Sequence, residues 1–331
     1  MEATPLRRDG LKLATRKPGD PHLHVTDDVL GVRTVMANAY FVDLPTTDTE
    51  QARRWVLVDA GLPMCGHTIK AAAEARYGAG TTPEAIILTH GHFDHVGALP
   101  TLGREWNVPI YAHPLEMPFI TGRASYAPPD PWVGGSMSLT SPLYPRGPID
   151  MGKLAFELPP DGHVPFLKEW RWIPTPGHSP GHVSFYRERD GLLLAGDAFV
   201  TTKQESLLSV LTQAQAVHGP PSYFTHDWQQ AEATVKVLAT LDPKIAATGH
   251  GTPMRGTELH DQLGALAANF RRIAVPANGR YTEHPVLSDV DGPNQVPPRR
   301  SAPPVAIAAV AVAALGAVTW IATYRNGKRS H

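Results

Sequence analysis

The apolar positions of this chain fall into short runs, several of which end in polar residues beside glycine. Residues 1–28 are polar and predict a loop-like leading segment. Residues 32–44 form one apolar run and 55–59 another, the second closing on the turn signal Asp59-Ala60-Gly61. They predict neighbouring strands joined by the polar loop 45–54. An alanine-rich periodic stretch, 68–77, stops at Gly78 and predicts a helix. A buried-type strand at 85–88, a helix at 96–102 and a strand at 109–111 follow.

Between 114 and 176 prolines are dense and apolar residues scattered. So long a stretch without regular structure is uncommon unless it is functional, so a lid of short helices and loops is expected, with Trp132, Tyr144 and Trp170 as pocket walls. Regular patterning resumes at 170–173. Strands at 183–187 and 192–195 read as a hairpin around Arg189-Asp190-Gly191. A helix at 228–241, a strand at 245–248 and a helix at 257–272 complete the body. Strands alternating with helices predict an α/β chain in which helices cover the sheets.

The end of the chain differs. Residues 276–304 are polar and proline-rich, as in a linker. Residues 305–323 carry no charge and no proline, between Arg299-Arg300 and Arg325, Lys328 and Arg329, with Trp320 and Tyr324 near one end. That length suits a crossing of ~30 Å of hydrocarbon, which predicts a C-terminal transmembrane helix at 305–324 and membrane contact through it. The first residues show no secretory apolar region, so the body is expected on the cytoplasmic side.

Composition narrows the chemistry. The formal net charge is -1, from 30 basic and 31 acidic residues, which argues against a nucleic-acid partner. Cys65 is the single cysteine, so an intramolecular disulfide and a cysteine-rich metal site are both excluded; it reads as an inert thiol. Any metal must be held by His, Asp or Glu, and those types cluster. Strand 85–88 runs into His90-Gly91-His92-Phe93-Asp94-His95. Later come His178-Ser179-Pro180-Gly181-His182, Gly196-Asp197 after strand 192–195, and Gly249-His250-Gly251 after strand 245–248. Buried without a cation, such groups would repel or stay unpaired. Imidazole and carboxylate suit zinc when cysteine is absent, and one bridging carboxylate lets the set serve two ions. His22-x-His24 has ligand types but no strand-end context, and is expected in a solvated loop.

The order His-x-His-x-Asp-His, distant His, Asp, His resembles the metallo-β-lactamase-fold hydrolases, glyoxalase II enzymes and metallo-lactonases in particular. The resemblance covers about 32–272, with Ala37-Asn38-Ala39-Tyr40 and Leu57-Val58-Asp59-Ala60-Gly61 similar to that family's opening strands. It implies an αββα sandwich of two mixed sheets covered by helices, spanning 29–275 with the lid inserted. It also implies two Zn²⁺ ions per chain: His90, His92 and His178 on the first, Asp94, His95 and His250 on the second, and Asp197 bridging with a water or hydroxide. Zinc β-lactamases place a cysteine or no bridging ligand where Asp197 stands, which turns the expectation from β-lactams toward an ester, thioester or lactone of a small molecule. Asp94 would ligate and also orient the nucleophile as the catalytic residue. His182 is expected to hydrogen-bond behind the ligands, and Trp132, Tyr223 and His226 to line the substrate pocket. Two other readings are a single-iron enzyme like the persulfide dioxygenases and a non-catalytic, membrane-tethered metal-binding module.

Overall fold

The computed structural model describes residues 21–45 and 53–299. A first sheet holds seven strands in sequential order: β1 (His22–Thr26), β2 (Val29–Thr34), β3 (Ala37–Asp43), β4 (Trp55–Val58), β5 (Ile86–Ile87), β6 (Ile110–Ala112) and β7 (Ala155–Glu157). Pairing is antiparallel from β1 to β4 and parallel from β4 to β7. The second sheet has the order β13-β12-β11-β10-β9-β8: β8 (His163–Val164), β9 (Leu167–Pro174), β10 (Val183–Arg187), β11 (Leu192–Gly196), β12 (Ile245–Thr248) and β13 (Met254–Arg255). Only the β11–β12 pair in it is parallel.

Period-two alternation with both faces apolar builds the layers. Leu57 and Ile86 face a core formed with α1 (Gly66–Tyr77) and, beyond the short α2 (Phe93–Val96), α3 (Leu99–Trp106). Val56, Val58 and Ile87 face the other way, meeting Val183, Phe185, Leu192 and Leu194 between the sheets. Leu193 and Ala195 point out again, onto α7 (Trp228–Thr240) and α8 (Gly256–Ala268). Helix, sheet, sheet and helix therefore stack as the αββα sandwich that was expected. Short helices α4 (Met117–Ile120), α5 (Ser136–Thr140) and α6 (Leu207–Thr212) lie in the connections, and α9 (Phe270–Ile273) follows α8.

The structure corrects several expectations. The run 32–44 is two strands, β2 and β3, because the chain reverses at Val35, with φ 69° and the side chain exposed. No glycine, proline or asparagine marks that turn. The leading segment is not loop throughout: β1 buries Leu23 and Val25 and turns His22 and His24 outward on an edge strand. The helix expected at 96–102 is divided between α2 and α3. The proline-dense stretch holds short helices only to about residue 154, then supplies β7, β8 and β9. Trp170 of β9 is accordingly a core residue with the Arg187 guanidinium 4.8 Å from its ring, not a pocket wall.

Residues 276–299 do not run free as a linker. Tyr281 and Val286 are buried in the α7/α8 core, and β14 (Leu287–Asp289) pairs with β15 (Gly292–Gln295) in a separate hairpin. The transmembrane segment expected at 305–324 lies outside the described residues. Among the described residues no helix is long and apolar enough to cross a membrane.

Candidate metal centre

Register brings the polar strand ends to one rim of the sandwich. The parallel pair β4–β5 ends in Asp59 and in Thr89-His90, and the parallel pair β11–β12 ends in Asp197 and His250. Because β10 runs antiparallel to both β9 and β11, the loop 175–182 emerges at the same edge. The two sheets are tied there: Val183 N donates to Thr89 O, and Asn38 Nδ2 donates to the carbonyls of Thr248 and Gly251.

The seven residues expected as ligands meet at this rim, and Asp94 is the most exposed of them at 5 %. Three overlapping groups place one ligand atom per residue within 4.8 Å of one another: His90, His92 and His178; His90, His95 and Asp197; and Asp94, His95 and His250. The Asp197 carboxylate joins the halves. Its Oδ2 lies 3.1 Å from His250 Nε2, 3.4 Å from His178 Nε2 and 3.6 Å from His95 Nε2. Residue 249 must be glycine for this approach, since a Cβ there would stand 2.1 Å from Asp197 Oδ1.

The donor chemistry fits a cation. His90 Nε2, His92 Nε2, His95 Nε2 and Asp197 Oδ1 are buried without a hydrogen-bond partner, which an uncharged core tolerates at a cost of about 1–3 kcal/mol each. His92 Nδ1 stands 2.9 Å from His178 Nε2. Burial, reinforced by neighbouring imidazoles, drives His90, His92 and His178 well below the usual histidine range, so they are neutral and able to donate a lone pair. Burial alone would raise Asp197, but His250 and His95 outweigh it and hold the carboxyl well below the usual range. Asp94 is raised by burial.

Partners behind the rings set their orientation. His95 Nδ1 donates to Asp59 Oδ2 at 2.9 Å, and Asp59 also accepts from Thr89 N and Oγ1. His250 Nδ1 donates to Met36 O at 2.9 Å, and His178 Nδ1 lies 3.2 Å from Thr225 Oγ1. His182 is not in any of the three groups. Its Nε2 accepts from Asp197 N at 2.9 Å while Nδ1 pairs with Thr175 Oγ1, and burial pulls its pKa down to about 3. It thus shapes the turn that presents Asp197.

The expected pocket residues divide. Tyr223 is buried against Tyr144 and Phe224. His226 is buried with Nε2 unpartnered, its ring 6.3 Å from that of His92. Trp132 is half-buried, and among the described residues its ring has no aromatic partner. Its place against the centre is taken by Phe224, 4.7 Å from the His92 ring, and by Tyr144, 5.5 Å from Phe93. Sequence reasoning missed Phe224, Thr225 and Glu116. Glu116 is a fully buried acid in the proline-dense stretch, and no spacing rule connects it to the histidines.

Comparison with known proteins agrees with this architecture. The chain is 45% identical over 246 residues to a probable metallo-hydrolase, YflN, of Bacillus subtilis strain 168, covering 74% of this chain and 92% of that protein. A hydroxyacylglutathione hydrolase of Legionella pneumophila strain Lens is 26% identical over 147 residues, 43% of this chain and 46% of that one. A crystal structure of a beta-lactamase domain protein from Burkholderia ambifaria superposes with a TM-score of 0.53 at 19% identity, over 78% of this chain and 75% of that one, and shares the fold. The family model described as the metallo-beta-lactamase superfamily matches residues 32–250. With the sandwich, the rim of histidines and aspartates and this match in agreement, the chain belongs to the metallo-β-lactamase superfamily of metallo-hydrolases.

Proposed function

We propose that this protein is a dinuclear zinc hydrolase that cleaves an ester, thioester or lactone of a small molecule. The observation that carries the reading is Asp197 Oδ2, within 3.6 Å of ring nitrogens belonging to both halves of the centre. His90, His92 and His178 would hold one ion, Asp94, His95 and His250 the other, and Asp197 both. Bound there, the ions would supply a water acidified toward neutrality and an electrophile for a carbonyl oxygen.

The chain's own residues supply the rest. Asp94, raised by burial and with His250 Nε2 3.4 Å from its Oδ2, is the acidic group placed to orient an attacking water. His182 holds the Asp197 turn through the Asp197 amide. Tyr144, Tyr223 and Phe224 form an aromatic cover that would exclude bulk water and pack an acyl group. Similarity to the hydroxyacylglutathione hydrolase supports a thioester over a β-lactam.

Asp197→Ala tests the reading. It is expected to lose both bound metal, measured by elemental analysis, and turnover of a thioester and lactone panel. Wild-type metal content with wild-type turnover in that variant would refute it. One iron per wild-type chain would favour the single-iron oxidation reading.

A further inference from the structure

Glu116 is fully buried, and its hydrogen-bond partners among the described residues are all uncharged groups. A carboxylate in such a place is costly unless donors converge on it. Four do. Oε2 accepts from Gly91 N at 2.8 Å and from the Tyr126 hydroxyl, and Oε1 accepts from Ser179 Oγ at 2.8 Å and Gly181 N at 2.7 Å.

The origin of those donors is informative. Gly91 lies between His90 and His92, and Ser179 follows His178. Tyr126 also accepts from Gly91 N, and its ring is 4.4 Å from that of His92. A Cβ at residue 91 would stand 2.7 Å from the Tyr126 hydroxyl oxygen, so the glycine inside His-x-His is what admits this arrangement. Gly91, Ser179 and Tyr126 thus sit beside members of the His90–His92–His178 group, and Gly181 lies three residues past His178 in the same loop. None comes from the strand ends that carry Asp197 and His250.

We infer that Glu116 is a positioning residue for the His90–His92–His178 half of the centre: one carboxylate sets the separation of the two ligand loops and so the affinity of the ion they hold. The inference rests on the two-ion reading above. The Asp94–His95–His250 half has its own supports in Asp59 and the Met36 carbonyl.

The test is zinc titration of the chelator-stripped full chain against a competing chromophoric chelator. Wild type is expected to take up two ions. In Glu116→Gln the carboxamide NH₂ must face either Gly91 N–H or Gly181 N–H, and a backbone amide cannot turn round to accept. One ion is expected to weaken about 10–100-fold, as for removal of an outer partner of a metal ligand, while the other keeps its affinity. In a His250→Ala background the substitution should still weaken the remaining ion; in a His178→Ala background it should not. Unchanged affinities, or equal weakening of both ions, would overturn the inference. If Glu116→Gln does not fold, Ser179→Ala removes one hydroxyl donor only; it should weaken the same ion selectively, and no effect or an equal effect on both would count against Glu116. A wild type that takes up a single ion defeats the two-ion reading on its own. The Glu116→Gln comparison still decides in that case, because an affinity it leaves unchanged overturns the inference.

Discussion

Asp59→Asn removes one charge behind the ligands while leaving the backbone as it is. Asp59 has φ 60°, a left-handed conformation that asparagine adopts readily, so the turn Asp59-Ala60-Gly61 should survive. The consequences then follow from donor counting. The carboxylate accepts from His95 Nδ1 at 2.9 Å, Thr89 Oγ1 at 2.7 Å and Thr89 N at 2.8 Å. Asparagine has one oxygen for these. If it stays on the Thr89 amide, its NH₂ faces His95 Nδ1, and that nitrogen can only accept. The ring proton must then move to Nε2, the atom whose lone pair the centre requires. Loss of a charge-assisted hydrogen bond costs about 1.5–3 kcal/mol. The expected effect on metal affinity is about 10–100-fold, or roughly 1.4–2.7 kcal/mol. Competition with a chromophoric chelator measures it, and circular dichroism of the metal-free variant checks the fold. A folded Asp59→Asn chain with wild-type zinc affinity would refute the assignment of Asp59 as the group that sets the His95 tautomer.

Two further outcomes follow from buried groups. His226 is pulled down to about 3 from an ordinary 6.5 by burial and by the Arg280 charge. Its neutral form is favoured in the folded chain, so it contributes stability that is present above pH 6.5 and is lost as pH falls toward 3, at up to about 1.4 kcal/mol per pH unit. His226→Gln should flatten the acid limb of metal-free stability between pH 6 and 4 by about that slope in urea titrations; parallel limbs would contradict it. Metal removal should lower the melting temperature, because the unpartnered atoms of His90, His92, His95 and Asp197 lose their cation; zinc at a hundredfold its Kd is worth about 2.7 kcal/mol. Calorimetry with and without chelator measures this, and identical melting curves would argue against a metal at the rim.

Much of the site was readable before the fold because its residues are local or sit at strand ends. His90, His92, Asp94 and His95 lie within one short run. Asp197 and His250 each follow a short run that is apolar at nearly every position, the mark of a strand buried on both faces. The parts that were not readable share a different cause. The β2–β3 turn rests on Val35 at positive φ, a conformation its residue type does not announce. Tyr281 and Val286 lie in a polar stretch, and only packing against residues distant in sequence, His226 among them, makes them core. Glu116 lies 25 residues from Gly91 and 65 from Gly181. Its function is a matter of closure between loops, which has no period and no motif.

That division bears on where substrate choice resides. The ligand rim sits at strand ends brought together by sheet register, which belongs to the sandwich itself, so it carries little information about the molecule that is cleaved. The cover is built from parts with no pattern in the sequence. Tyr144 comes from the proline-dense insertion, and Tyr223, Phe224 and His226 from the loop before α7. The 276–299 segment braces His226 from behind: the Tyr281 ring is 5.0 Å from that of His226, its hydroxyl donates to Pro128 O, and Val286 N donates to His226 O. Residues 276–299 therefore bear on the centre through His226, and a truncation before Tyr281 removes the ring that packs on it and the Val286 amide that bonds its carbonyl.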